Sequence, residues 1–133
     1  MKAVFADAFY FVALLNRADQ HHTKTIAVAR DLRSDIVTTE WVPAGVADAL
    51  AASNSRRTAA AFIRDLEQDP KVKIISATTD LFQRGLNLYE KRPDKKWSLT
   101  DCISFVVMQD EDLTEALTGD EHFTQAGFRA LLN

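Results

Sequence analysis

The stretch Lys2–Asn16, KAVFADAFYFVALLN, decides how the rest of the chain is read. Lys2 to Ala6 is short, apolar and tolerant of extended backbone, Asp7 interrupts it, and AFYFVALLN continues as a mostly buried helix. A hidden strand that runs straight into a hidden helix is the opening of a β-α-β unit. The single acid at the junction needs a reason to be there.

The pattern recurs downstream. Thr23 to Arg33 sets Ile26, Ala27 and Ala29 among charges, a helix that stops near Ser34-Asp35, and Ile36 to Thr39 resumes as a strand. Thr39 is the expected N-cap of a helix over EWVPAGVADALAA, where Pro43 falls in the first turn, whose N–H groups lack partners anyway. Beyond Ser53-Asn54-Ser55, the spacing of Ala59, Phe62, Ile63 and Leu66 predicts a one-sided helix closed by Asp69-Pro70. Val72 to Ser76 is a third strand, Thr79 to Glu90 a further helix, and RPDKKW a basic loop. Cys102 to Met108 is apolar on nearly every face, which predicts a central helix covered all round. Leu113 to Thr118 and Phe128 to Leu132 supply two more short strands. Short strands alternating with helices give an α/β class, a parallel sheet covered on both faces, in a single domain over residues 1–133. In such sheets ligands sit outside the carboxyl ends of the strands, where the strand order reverses.

Composition narrows the function. At 133 residues, 47% apolar and 26% charged, the chain can bury a core without disulfides or a structural metal. The single cysteine, Cys102, reads as a small buried hydrophobe in a reducing compartment, and its apolar neighbours argue against a catalytic thiol. Asp7 breaks the N-terminal apolar stretch before a signal-peptide core forms, and nothing reaches the ~20 apolar residues of a membrane span, so a soluble, cytoplasmic protein is expected. The net charge of −3 argues against binding nucleic acid by bulk positive charge, but its distribution is uneven. Residues 83–97 carry Arg84, Lys91, Arg92, Lys95 and Lys96 against Glu90 and Asp94; residues 110–121 carry six acids and neither Lys nor Arg.

Three acids stand at strand or helix junctions. Asp7 would be costly if buried without a cap role, a partner or a cation. Asp101 lies in Ser98-x-x-Asp101, the outline of a capping box, with the acid near the positive end of its helix. Asp120, in Thr118-Gly119-Asp120, is a natural turn residue. Each alone reads most simply as a cap or a turn. Should the three converge at one strand-end crevice, their mutual repulsion requires a cation, and hard oxygen ligands suit Mg²⁺ or Mn²⁺.

This constellation resembles the PIN-domain family and, within it, the VapC-like toxin ribonucleases of toxin–antitoxin pairs. The likeness rests on the strand leading to Asp7 and on TTEWVPAGVADAL at 38–50, RPDKKWSLTDCISFVVM at 92–108 and ALTGDEHFTQAGF at 116–128. It implies a three-layer α/β/α fold with a mostly parallel central sheet of about five short strands. It also implies Asp7, Asp101 and Asp120 as catalytic metal ligands for Mg²⁺ or Mn²⁺, Ser98 or Thr100 as a polar neighbour, an RNA substrate, a cognate antitoxin and frequent dimerisation. One position departs: where the family carries a catalytic glutamate in its TTEWVxxEVADAL segment, this chain has Gly45, through either natural loss or deliberate replacement. Glycine inside a helix costs about 1 kcal/mol relative to alanine, so the choice is poor structurally as well as chemically. Reduced or absent activity is expected, with Asp48 or Glu40 as the nearest possible stand-ins.

Lys91, Arg92, Lys95 and Lys96 are candidate phosphate contacts, against the plainer reading of a solvated loop. Trp97 is expected in the core, with Tyr89 free to stack on a base. His21-His22 reads as a polar helix start and His122 as a surface residue without a catalytic partner. Two other classes compete. A non-catalytic PIN-like binding module is favoured by Gly45; a phosphoacceptor receiver domain wants paired acids after the first strand and a lysine after the last, where this chain offers Asp7 alone and Arg129.

Overall fold

The computed structural model of the chain describes residues 2–133. Five short strands, β1 (Val4–Ala6), β2 (Ile36–Thr39), β3 (Val72–Ile75), β4 (Glu115–Leu117) and β5 (Arg129–Ala130), form one sheet of order β3-β2-β1-β4-β5. Every pairing is parallel, with Val4 opposite Ile36, Phe5 opposite Ala116 and Ala6 opposite Leu117. The chain works outward from β1 to β3, then crosses to the other side of β1 to lay down β4 and β5. The order therefore reverses between β1 and β4.

Right-handed crossovers put the helices of the two halves on opposite faces. On one face α1 (Ala8–Leu15) packs on α2 (His22–Asp31) and α3 (Trp41–Ala49), and α3 on α4 (Arg56–Gln68). On the other, α5 (Thr79–Lys91) lies along α6 (Leu99–Asp110), which meets the short α7 (Glu121–Gln125). This is the expected α/β/α architecture. Asp101 to Met108 of α6 are all buried, as its apolar sequence predicts. Phe105 packs among the rings of Trp97, Phe123 and Phe128, and fully burying a side chain of that size is worth roughly 1.5–3 kcal/mol. No helix among the described residues is long and apolar enough to cross a membrane.

One local expectation is corrected. Thr39 is not the cap of α3: it ends β2, with its hydroxyl buried and unpaired. The helix begins after Glu40, whose carboxylate accepts the Ala77 N–H at 2.6 Å instead of capping. The receiver reading fails on topology, since receivers order their strands 2-1-3-4-5, and Arg129 is spent on Glu115 at the surface.

Candidate functional site

The strand order reverses between β1 and β4, the point outside whose carboxyl ends ligands sit in sheets of this kind, and an acid follows each of the two strands. Asp7 follows β1 directly, and its backbone N–H reaches Leu117 O at 3.4 Å, tying the two strand ends together. It occupies the N-cap position of α1 with an extended backbone, yet its side chain makes no cap bond. The carboxylate instead accepts the Thr118 hydroxyl at 3.0 Å, so the capping reading of Asp7 is replaced by a bond across the crevice. With the residue only 8% exposed, burial pushes this carboxyl up to about 6; the charge of Asp101 and, less strongly, that of Asp120 add to the shift, while the Thr118 and Ala8 hydrogen bonds oppose it. The three acids therefore share one electrostatic neighbourhood.

Asp101 does cap its helix. Ser98 Oγ accepts the Asp101 N–H at 3.0 Å and Asp101 Oδ2 accepts the Ser98 N–H at 3.1 Å, a complete capping box. Both donors of the box are backbone N–H groups, which fixes the carboxylate while leaving Oδ1 outside the box. Asp120 ends the turn after β4 and caps α7, its Oδ1 accepting the His122 N–H at 2.9 Å. Gly119 makes that turn possible: a Cβ there would lie 2.6 Å from the Phe9 ring, which covers it from the first turn of α1.

The surface reading of His122 is overturned. Its Nδ1 lies 2.9 Å from Asp101 Oδ2 and 3.4 Å from Asp120 Oδ1. Although partial burial opposes it, the hydrogen bond to Asp101 and the charges of Asp120, Asp101 and Glu121 hold the imidazole above its ordinary pKa. Asp101, Asp120 and His122 offer one ligand atom each within 4.8 Å of one another, a set able to hold a metal ion. The Asp120-x-His122 spacing was the available signal. That signal is faint because the partner, Asp101, is distant in sequence and α7 is too short to show a period.

The remaining candidates separate. The Ser98 hydroxyl is committed to the cap, whereas Thr100 is exposed on the first turn of α6. Arg92 forks onto Asp94 at 3.0 Å through two nitrogens and lies 5.0 Å over the Trp97 ring, and Lys95 is 3.9 Å from Asp94. Lys91 and Lys96 are exposed, and no carboxylate among the described residues pairs with them. Together with Tyr89 and Trp97 this loop walls a cavity of about 430 Å³ that extends to Cys102, the residue after Asp101. Trp97 is buried, its Nε1 donating to Gln125, and Tyr89 is half exposed, both as expected. Burial and Asp101 push the Cys102 thiol up, consistent with an inert core residue. His21 and His22 open α2, with His22 Nδ1 on Ala13 O and His21 against Phe9.

Gly45 sits half-buried on α3, where a Cβ would meet Ala8 Cβ at an ordinary 3.9 Å. Nothing steric requires glycine, and a side chain there would start beside the residue that follows Asp7. Neither stand-in replaces it: Glu40 is bound to the Ala77 backbone, and Asp48 is exposed along a groove between α3 and α4 with Arg56, Arg57 and Arg64.

Comparison with known proteins agrees with this geometry. No curated protein matches the chain by sequence. Among solved structures, VapC20 of Mycobacterium tuberculosis, a sarcin-ricin loop cleaving toxin, superposes with a TM-score of 0.87 at 22% identity, covering 94% of this chain and 95% of that one. FitAcB from Neisseria gonorrhoeae superposes at 0.69 with 15% identity, over 98% and 96%. Both likenesses are likenesses of fold. The profile of the PIN domain matches residues 4–129, nearly the whole sequence, and on that match the chain belongs to the PIN domain family.

Proposed function

We propose that this protein is a PIN-type ribonuclease of the VapC-like toxin class, dependent on Mg²⁺ or Mn²⁺, whose activity is held down by Gly45. The observation that carries the reading is the environment of Asp7, a buried carboxyl with no Lys or Arg partner among the described residues and two further acids beside it. A carboxylate in such a place is costly as an anion, and a cation joining it offsets that cost. Asp101 and Asp120, whose oxygens lie in a cluster able to hold an ion, and Asp7 beside them would bind a divalent ion through hard oxygens. Bound there, the ion would neutralise charge developing on a phosphodiester and acidify a water molecule for attack.

The chain's own residues do the rest. The capping box holds Asp101 still, the Thr118 hydroxyl orients Asp7, and the α7 backbone orients Asp120. Lys91 and Lys96 draw the RNA backbone toward the crevice, with Arg92 and Lys95 contributing less because Asp94 already faces them. The exposed Thr100 hydroxyl is placed to donate to a phosphate oxygen, and Tyr89 to stack on a base. Cys102, free and buried, suits a reducing cytoplasm. The toxin role of VapC20 supports a cognate antitoxin as protein partner and an RNA bearing the sarcin-ricin loop as the first substrate to try; a homodimer is the proposed assembly.

Gly45 favours one alternative, a PIN module that binds RNA or protein without cutting. The discriminating experiment incubates that RNA with wild type, Gly45→Glu and Gly45→Glu/Asp101→Asn in Mn²⁺. Gly45→Glu should cleave faster than wild type by about tenfold to a hundredfold, the scale of completing a metal's surroundings, and the double variant should be inert. A folded Gly45→Glu protein that binds Mn²⁺ and leaves the RNA intact would establish the binding module instead.

A further inference from the structure

We propose that His122 is itself a ligand of the ion, through Nδ1, and that this nitrogen makes the centre prefer Mn²⁺ to Mg²⁺. The inference rests on the metal-site reading above and adds a residue to it. Nδ1 stands 2.9 Å from Asp101 Oδ2 and 3.4 Å from Asp120 Oδ1. Two ligands about 2.1 Å from one ion and at right angles to each other lie about 3 Å apart, so the three donors already have the spacing of neighbours on a single ion. They come from two elements, α6 and α7: the Ser98 N–H holds the Asp101 carboxylate, the His122 N–H holds that of Asp120, and the His122 backbone is fixed in the first turn of α7. That turn is pinned by Phe123, wholly buried against Phe5 and Phe105. An imidazole arranged this way is built in and not a surface rotamer that happens to point inward.

The α3 side supplies no donor, because Gly45 has no side chain and Glu40 is engaged elsewhere. A nitrogen from the opposite side of the crevice completes the set with less accumulated negative charge than a fourth carboxylate would bring. Ion preference follows from the donor atom. Mg²⁺ favours all-oxygen, water-rich surroundings, whereas first-row transition ions gain from imidazole. The competing role for His122 is positioning alone, with Nδ1–H donating to Asp101 and never touching the ion.

Pulsed EPR of the wild-type protein loaded with Mn²⁺ separates the two. Direct ligation gives a strong ¹⁴N coupling, and His122→Ala and His122→Gln should both lose it together with about tenfold or more of Mn²⁺ affinity, while Mg²⁺ affinity changes by less than about twofold. Melting curves in EDTA check that both variants fold, and the wild-type spectrum stands without them. Mn²⁺ bound near the acids without nitrogen coupling, or His122→Gln retaining wild-type affinity, overturns ligation by His122 and leaves the acidic site intact. Failure of wild type to bind Mn²⁺ at all overturns the inference together with the reading beneath it.

Discussion

The two ends of helix α6 handle negative charge in opposite ways. At its C-terminal end each acid has a basic side chain of its own: Arg84 forks onto Asp110 with two contacts of 2.7 Å, Lys73 meets Glu111 at 2.8 Å, and Lys2 reaches Asp112 at 3.6 Å. A negative side chain at that end opposes the helix dipole, and the pairing offsets it. At the N-terminal end, Asp101 suits the dipole but stands beside Asp7 and Asp120 with only an imidazole for company. Hydrogen bonding to Arg84 and its charge hold the Asp110 carboxyl below the usual range; burial and like charge hold the Asp7 carboxyl well above it. At the C-terminal end of α6 the surface carboxylates have counter-charges. Around Asp7, Asp101 and Asp120 the fold supplies position without a Lys or Arg, the arrangement that the proposed cation would complete.

The largest effect should come from removing the buried charge. The Asp7 carboxyl sits at about 6 against an ordinary 3.8, a difference of about two units or about 3 kcal/mol. Because the folded value is the higher one, the protonated group favours the folded state at low pH, and that contribution is lost as pH rises from about 4 through about 6. In EDTA, Asp7→Asn should therefore match wild type in urea melts near pH 4 and exceed it by up to about 3 kcal/mol above pH 7. Equal stabilities at both pH values would break the contrast with Asp110. Next in size, Mn²⁺ at about a hundred times its Kd should stabilise wild type by about 2.7 kcal/mol and leave Asp101→Asn unmoved, as thermal shift would report.

Ser98→Ala sharpens the comparison at the same helix end. Losing the N-cap should cost about 1 kcal/mol in denaturant and weaken Mn²⁺ binding as well, because the box that starts the helix also holds the Asp101 carboxylate, a proposed ligand. Arg84→Ala, at the other end, should show the smallest change: a slight loss of stability that shrinks with added salt and no change in Mn²⁺ affinity, the pattern of an exposed ion pair.

Much of this layout was legible in the residues. The run from Val4 to Asp7, the alternation of short apolar strands with helices and the outline Ser98-x-x-Asp101 carried the architecture, the strand-end acids and the cap. Local chemistry alone did not carry the rest. Asp7 looks like a helix cap because its position is one; the Thr118 hydroxyl that claims its carboxylate comes from the segment after β4, far along the chain. Thr39 had the chemistry of a cap, but pairing with β3 continues through it, opposite Ile75, and the helix starts later. His122 was invisible as a site residue because α7 spans five residues, too few for any apolar period, and its partner Asp101 is 21 residues away. Gly45 was flagged by resemblance, and the open space beside Ala8 explains how a side chain would be accepted there.

The central claim is that Asp7, Asp101 and Asp120 are gathered to hold a dication. Anomalous diffraction from a crystal soaked in Mn²⁺ tests it most directly. The account requires an anomalous peak within bonding distance of these three carboxylates. A map with no peak there, or with Mn²⁺ confined to the surface acids between Asp110 and Glu115, would contradict it.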